Sequence, residues 1–246
     1  MKFFSNDSRT YITPAEEIKF YRAAYPLPSK LIYTPFVQPG LPRKNKKITI
    51  KELPRLYQGT HLYCINDDLL YFQGLLGAPA TGIFLEELIA LGVKELVFLG
   101  LAGAIQQVKT GDRIIVTEAV RLEGTSYHYL PDSDPNISSE ELTRKLTCFY
   151  SESDAPFMKG KICSTDAPFR ETFQLIEELR QKNVLAIEME ISVVFAIAAF
   201  RHVQAAALVI ISDELKNEQW SRFQSDQYLE AFVSSFDHLV DFFSRR

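Results

Sequence analysis

Short apolar runs alternate with amphipathic segments along most of the chain. Runs of four to eight or more residues rich in aliphatic, β-branched and aromatic side chains are typical of strands. Eight such runs predict strands: KLIYTPF (30–36), THLYCIN (60–66), LLYFQGL (69–75), ELVFLGLAGAI (95–105), GDRIIVTEAV (111–120), GKICSTD (160–166), VLAIEME (184–190) and QAAALVIISDEL (204–215). The fourth run is apolar at nearly every position, as expected of a strand buried on both faces.

Other segments predict helices. Apolar residues recur at helical spacing from Ile83 to Leu91, and Gly92 follows as a stop signal. A pair of serines followed by glutamates marks the start of SSEELTRKLTCFYSE, and Pro168 is expected near the first turn of APFRETFQLIEELRQK. The predicted helices span 78–92, 138–152, 167–182, 191–202 and 227–246.

This alternation of strands and helices predicts an α/β layered domain around a mixed, largely parallel central sheet. In such sheets, ligands bind beyond the carboxyl ends of the strands. We read residues 1–246 as a single domain, because no linker, repeat or low-complexity tract divides the chain. Residues 1–28 are a candidate N-terminal extension that packs on the domain or on a neighbouring subunit.

Composition narrows the class of protein. The 27 basic and 31 acidic side chains give a net charge of −4, which offers no general attraction to nucleic acid or to an anionic membrane. No apolar run approaches signal-peptide or membrane-spanning length, and the three widely spaced cysteines suggest reduced thiols. We therefore expect a cytoplasmic protein. Clustered Cys/His ligands and acidic loops are also lacking, so no metal site is indicated.

Four polar clusters follow predicted strands. They are RLEGTSYHY (121–129), STDAPFRET (164–172), IEME (187–190) and ISDEL (211–215). Each alone is as readily a set of helix caps or solvated loop residues as a binding site. All four are nevertheless expected along one edge of the sheet, which favours a joint site.

These clusters resemble the nucleoside phosphorylase superfamily, which includes uridine phosphorylase, purine nucleoside phosphorylases and nucleosidases. The resemblance runs from about Gly74 to Asp213 and includes the EEL helix, the GLAGA strand end, RLEGTSYHY, IEME and ISDEL. It implies a three-layer α/β fold, cleavage of a nucleoside N-glycosidic bond, and a small-molecule nucleoside as substrate. It also implies phosphate as a candidate co-substrate, no other cofactor, and assembly into a dimer or hexamer with shared active sites.

The resemblance assigns the ribose and base sites. Glu190 is placed on the ribose 2′- and 3′-hydroxyls, where a carboxylate can accept two strong hydrogen bonds, and Met189 provides an apolar surface beneath the sugar. Glu188 is expected to point the other way and to serve structure, because neighbouring side chains of a strand alternate faces. Asp213 corresponds to the catalytic group that protonates or hydrogen-bonds N7 of a purine; its alternative role is a loop cap.

Further candidates have structural alternatives. Phe169 either stacks on the base or anchors the helix predicted to start there. Arg170 binds a base carbonyl or an anion, or pairs with Glu171 or Glu177. His128 lies near the mouth of the site or belongs to an exposed YHY turn.

The sequence leaves open which base the substrate carries and whether phosphate or water is the nucleophile. Asp213 favours a purine, whereas RLEGTSYHY favours the uridine branch. Gly100 and Gly103 are expected to let the backbone approach the sugar or an anion closely. Glu123 is a candidate to activate water in place of the acidic N-terminal segment that nucleosidases use.

The chain departs from the phosphate-binding pattern. Phe98 stands where the phosphorolytic members have an arginine, Leu101 stands where they have Ser or Thr, and TPFVQPGLPRKN (34–45) matches their N-terminal loop poorly. Losing a bidentate arginine weakens a phosphate site. Three hypotheses are compatible with this departure. The protein is a hydrolase, a phosphorylase whose anion site uses Arg170 or the PRKNKK segment (42–47) of a neighbouring subunit, or a non-catalytic nucleoside-binding module.

Overall fold

The computed structural model describes residues 3–5, 7, 9–21, 27–38, 41, 48–216, 218–221 and 226–245. Ten strands form one mixed sheet in the order β10-β9-β6-β7-β8-β5-β1-β4-β3-β2 among the described residues. Their bounds are β1 Lys30–Thr34, β2 Ile50–Leu53, β3 His61–Ile65, β4 Leu69–Gln73, β5 Glu95–Ala104, β6 Arg113–Leu122, β7 Met158–Thr165, β8 Val184–Glu188, β9 Gln204–Lys216 and β10 Gln219–Ser221. All eight predicted strands are present.

Strand pairing closes part of the sheet into a ring. β4, β1, β5 and β9 pair in parallel, and β6, β7 and β8 form a second parallel set. β6 pairs antiparallel with β9, and the last residues of β8 pair antiparallel with the end of β5. The five strands β5, β9, β6, β7 and β8 therefore form a closed, barrel-like ring. The clusters at 121–129, 164–172 and 187–190 lie at the ends of the parallel strands β6, β7 and β8, whereas the cluster at 211–215 lies at the end of β9, which runs antiparallel to β6. The expectation that all four lie along one edge is therefore met by three of them.

The helices lie in two layers. Their bounds are α1 Pro14–Glu17, α2 Ala78–Ala90, α3 Glu140–Ser151, α4 Phe173–Gln181, α5 Ile191–Arg201 and α6 Gln227–Ser244. One apolar cluster joins α2 and α5 to the sheet, and a second joins α3 and α6 to its other face. Alternate residues of β5 enter the two clusters, with Phe98 in the first and Leu99 in the second. The fold is thus the expected three-layer α/β arrangement, with a central strand buried on both faces.

One helix begins later than predicted. Pro168–Arg170 form a separate 3₁₀ turn, and α4 starts at Phe173 after Thr172, whose side chain accepts the N–H of Leu175 at 3.2 Å. Thr172 is the better start because its hydroxyl oxygen satisfies an N–H at the helix end, whereas Pro168 only fixes its own backbone. The turn presents residues 168–170 to solvent.

Candidate active site

Glu188 and Glu190 meet where β8 passes into α5. The strand ends at Glu188, whose Oε2 accepts the backbone N–H groups of Glu190 at 2.7 Å and Ile191 at 2.9 Å. Its Oε1 accepts the hydroxyl of Ser164 on β7. Glu188 thus satisfies N–H groups at the start of α5, which have no partner within the helix, and its expected structural role agrees with these contacts.

The expectation that Glu188 points away from Glu190 is wrong. Residues two apart in a strand share a face, and the chain turns into a helix before Glu190. Burial raises the pKa of Glu188 well above its usual value, and the nearby Glu190 charge raises it further. The two carboxyls therefore belong to one electrostatic unit.

Glu190 is only 3% exposed and precedes the first residue of α5. Its Oε1 accepts the backbone N–H of Gly77 at 2.6 Å. Gly77 has a φ of 98° and precedes α2, so Glu190 lies at the start of two helices, where partial positive charge favours an anion. Burial nevertheless raises the pKa of Glu190 to about 7. Met189 lies between the two acids and is half-buried.

Two serines extend this unit to Glu123, at the end of β6. The hydroxyl of Ser192 donates to Glu123 Oε1 at 2.8 Å, and the Ser192 N–H donates to Ser164 Oγ at 2.9 Å. Glu123 Oε2 also accepts the N–H groups of Thr125 at 2.6 Å and Ser126 at 3.1 Å. Glu123 is buried with both oxygens engaged by the protein, so its candidate role in activating water is not supported.

Asp213 lies near the end of β9 and is half-buried. Its Oδ1 accepts the Ser212 hydroxyl at 2.6 Å, and its Oδ2 accepts the indole N–H of Trp220 at 2.7 Å. A loop cap is not its role, because these donors belong to a neighbouring residue and to the returning strand β10. Burial, and then the charge of Asp213, raise the pKa of Glu171 to about 7.

Gly103 and Gly100 accommodate protein side chains. A Cβ on Gly103 would lie 3.1 Å from Asp213 Oδ2, and a Cβ on Gly100 would lie 2.5 Å from the ring of Phe98. The prediction that both admit a sugar or an anion is therefore corrected: their missing side chains make room for Asp213 and Phe98. Gly103 also pairs with Ile187 of β8, which places the end of β5 between the two acidic clusters.

Phe98 and Leu101 pack on opposite faces of the sheet. Phe98 is fully buried and stacks on Tyr33, with ring centroids 5.7 Å apart at 17°. Tyr33 in turn donates its hydroxyl to Thr81 at 3.3 Å. Leu101 is half-buried and packs against the apolar cluster on the opposite face of the sheet.

Phe169 and Arg170 lie in the exposed 3₁₀ turn. The Phe169 ring is 98% exposed, so it does not anchor α4. Glu177 pairs with Arg180 at 3.6 Å, which argues against Arg170 as its partner. Both side chains are therefore presented to solvent beside Glu171, the residue that faces Asp213.

His128 lies at the rim of a cavity of about 450 Å³ between the start of α2 and the loop after β6. Gly124, Thr125 and Asp166 line the same cavity, and the ring of Phe3 contacts His128 edge-on at 5.1 Å. Neither Glu190 nor Asp213 lines this cavity, so the place of His128 near the mouth of the site stays a prediction. The described residues that line another cavity, of about 780 Å³, include one predicted site residue, His128.

The structure places Met189 and Glu190 directly after β8, and Asp213 beside Gly103 near the end of β9. Gly103 also pairs with Ile187 of β8, so the two segments flank the end of β5. Sequence reasoning missed four residues that donate hydrogen bonds to the acids described above. Serines after strands and a lone tryptophan were the available signals, but nothing in their spacing identified their partners. The missed donors are Gly77, Ser164, Ser192 and Trp220.

A family model described as the phosphorylase superfamily matches residues 31–242. The chain belongs to the phosphorylase superfamily. The match extends beyond residues 74–213 at both ends, and the predicted resemblance to this superfamily is confirmed. Half of the candidate phosphate-binding segment 34–45 and all of segment 42–47 lie outside the described residues.

Curated relatives include several nucleoside phosphorylases. Guanosine phosphorylase from Halorubrum lacusprofundi is 31% identical over 149 residues, covering 60% of this chain and 62% of that protein. Uridine phosphorylase from Haemophilus influenzae is 32% identical over 189 residues, covering 67% and 73%. DeoD-type purine nucleoside phosphorylase from Brevibacillus brevis is 32% identical over 143 residues, covering 57% and 61%. The chain thus spans less than two thirds of two of these relatives.

Solved structures share the fold. Uridine phosphorylase from Vibrio fischeri ES114 aligns with a TM-score of 0.77 at 19% identity, covering 89% of this chain and 93% of that one. Purine nucleoside phosphorylase from Toxoplasma gondii, in complex with immucillin-H, aligns with a TM-score of 0.76 at 18% identity, covering 90% and 94%. At such identities the likeness establishes the nucleoside phosphorylase fold.

The described residues contain neither a cluster of metal ligands nor a membrane-spanning helix. No group of three or more His, Cys, Asp or Glu side chains there is arranged to hold a metal ion. The described helices also include none with the length and apolar character needed to cross a bilayer.

Proposed function

We propose that this superfamily member cleaves the N-glycosidic bond of a ribonucleoside and transfers the ribosyl group to phosphate. The C1′–N bond breaks, a bond from C1′ to an oxygen of HPO₄²⁻ forms, and the proton that the phosphate loses goes to the departing base at the atom that faces Asp213. The relatives named guanosine, uridine and purine nucleoside phosphorylase support this reaction class. Nucleoside salvage in the cytoplasm, by a dimer or hexamer, is the accompanying biological proposal.

The observation that carries the proposal is the environment of Glu190. A buried carboxyl is costly unless it is paired or well hydrogen-bonded. Glu190 has no lysine or arginine partner among the described residues, and its hydrogen bonds involve the Gly77 N–H, the Glu188 side chain and the Met189 backbone. Two ribose hydroxyls would add donors to a buried carboxyl that no cation neutralises.

In this proposal, the phosphate site does not use the arginine and the Ser or Thr that the phosphorolytic superfamily members have. Phe98 is part of the core and Leu101 faces the opposite layer, so neither contributes to anion binding. Arg170 is our candidate for the phosphate, because it is exposed beside Glu171, which faces Asp213. A guanidinium can bind phosphate oxygens in a bidentate manner.

The reaction is tested with a panel of purine and pyrimidine ribonucleosides, with and without phosphate, by identifying the sugar product. We expect ribose 1-phosphate, formed only when phosphate is present. Free ribose at equal rates in both conditions would contradict transfer to phosphate and favour hydrolysis. Binding without any turnover would instead identify a non-catalytic nucleoside-binding module.

Two variants test the assignments. Glu190→Gln should lose turnover, whereas the control Glu118→Gln, which alters a surface pair with Lys161, should not. Arg170→Ala should raise the KM for phosphate about tenfold, because a charged hydrogen bond is lost. An unchanged KM for phosphate would remove Arg170 from the anion site.

A further inference from the structure

A short hairpin returns the chain to Asp213 after β9. Strand β10 pairs antiparallel with the end of β9, so that Trp220 lies opposite Leu215 and Ser221 opposite Glu214. Glu218, in the turn, has a φ of 59°. This geometry brings the Trp220 side chain back along β9 towards Asp213, although seven positions separate the two residues.

The hydrogen bond from Trp220 to Asp213 is short and directional. The indole N–H is a donor only, and it lies 2.7 Å from Asp213 Oδ2. The other oxygen is held by Ser212 at 2.6 Å. Gly103 leaves room for this carboxylate, since a Cβ there would lie 3.1 Å from Oδ2. Two hydrogen bonds, one to each oxygen, thus fix the carboxylate.

Core packing does not explain the tryptophan. Its side chain is 57% exposed, which is unusual for the largest apolar residue in the chain. The exposed side chains of Phe169 and Phe173 belong to the segment that carries Glu171, whose pKa is raised by burial and then by the charge of Asp213. An exposed indole bonded to Asp213 is available to a flat base.

We propose that Trp220 is a positioning residue for the base: its indole N–H fixes the Asp213 carboxylate, and its ring forms one wall of the base site. This inference rests on the proposed function, in which Asp213 faces the base. Because each carboxylate oxygen has more than one acceptor direction, Asp213 can keep the bond to Trp220 while it contacts a base. Trp220 then sets the direction of that contact without touching the sugar.

The contact can be measured directly, because Trp220 is the one tryptophan of the chain. Uniformly ¹⁵N-labelled protein gives a single indole N–H cross-peak. We expect this peak to move upfield in Asp213→Ala, which removes the acceptor, and to stay in place in Glu214→Gln. Glu214 is a suitable control because it bonds Thr110 and Lys216. An unmoved peak in Asp213→Ala would overturn the inference whatever the enzyme does.

Steady-state kinetics of Trp220 variants then distinguish a role in positioning Asp213 from a role in folding alone. Trp220→Phe keeps a ring but loses the N–H, so we expect kcat to fall about tenfold to a hundredfold with little change in KM. Trp220→Ala loses the ring as well, and KM for the nucleoside should also rise. Wild-type kcat in Trp220→Phe would overturn the role. Absence of turnover in the wild-type protein would instead overturn the proposed function, and with it any role of Trp220 in the reaction, while the cross-peak still decides the contact.

Discussion

The Glu190 carboxylate accepts the backbone N–H of Gly77 at 2.6 Å across 113 positions of sequence. This bond joins the start of α5 to the start of α2, two helices that pack on the same face of the sheet. Glu190 thus contributes to the fold as well as to the proposed ribose site. Variants must therefore separate its charge from its hydrogen bond.

Removal of the Glu190 side chain should discriminate between sugars. We expect Glu190→Ala to reduce turnover of ribonucleosides at least about a hundredfold, because hydrogen bonds to a charged acceptor are each worth about 1.5–3 kcal/mol. Deoxyribonucleosides, which lack the 2′-hydroxyl, should lose less. The measurement is kcat/KM for matched ribo- and deoxyribonucleosides. Equal losses for both sugars would contradict a contact with the 2′-hydroxyl.

Glu190 should also make stability depend on pH. Its pKa is raised to about 7 in the folded protein, from an ordinary value of 4.5, so the folded state binds this proton more tightly than the unfolded state. The free energy of unfolding should therefore be fully supported below about pH 4.5 and should fall as pH rises through about 7. The loss is on the order of 3 kcal/mol.

A matched variant removes this contribution, together with the effect of the Glu190 charge on the pKa of Glu188. Glu190→Gln retains an oxygen for the Gly77 N–H but does not ionise. In urea titrations at pH 5 and pH 8, its free energy of unfolding should vary less than that of wild type. His238 opposes the trend, because burial lowers its pKa, but it contributes equally to both proteins. A parallel pH dependence for the two proteins would contradict an elevated pKa at Glu190.

The amino-acid sequence was sufficient to predict the long, buried strands of the fold. Continuous apolar runs identified β5 and β9 because both faces of these strands are buried. It was insufficient for β2 and β10, short edge strands in which Lys51, Glu52 and Gln219 interrupt any apolar pattern. Such strands form because their partners offer free backbone groups, which their own residues do not encode.

The candidate site was predictable only in part. The resemblance assigns Glu190 and Asp213 to the site, and the structure places them directly after β8 and near the end of β9. Their partners, Gly77 and Trp220, could not be predicted, because these contacts depend on how distant segments meet. The glycines failed for a related reason: whether a missing Cβ admits a ligand or a neighbouring ring depends on packing, as Gly100 illustrates.

Asp213 should affect chemistry more than binding. Asp213→Asn retains the size of the side chain but removes the charge that faces the base. We expect kcat for purine nucleosides to fall by about 10²–10⁴, which is typical for loss of a proton-transfer group, while KM changes little. Steady-state kinetics with inosine and guanosine provide the measurement. Equal effects on kcat and on nucleoside affinity would count against a role in proton transfer.

Phe98 and Gly100 should be coupled energetically. A Cβ on Gly100 would lie 2.5 Å from the Phe98 ring, and that ring is confined by its stack on Tyr33. Gly100→Ala should therefore lower the free energy of unfolding by about 1–3 kcal/mol through overpacking. In a Phe98→Leu background the same substitution should cost less, because the smaller side chain leaves room for the methyl group. Urea titrations of the two single variants and the double variant complete the cycle. Additive losses would mean that the Phe98 ring does not restrict Gly100, which would reopen this position to a bound sugar or anion.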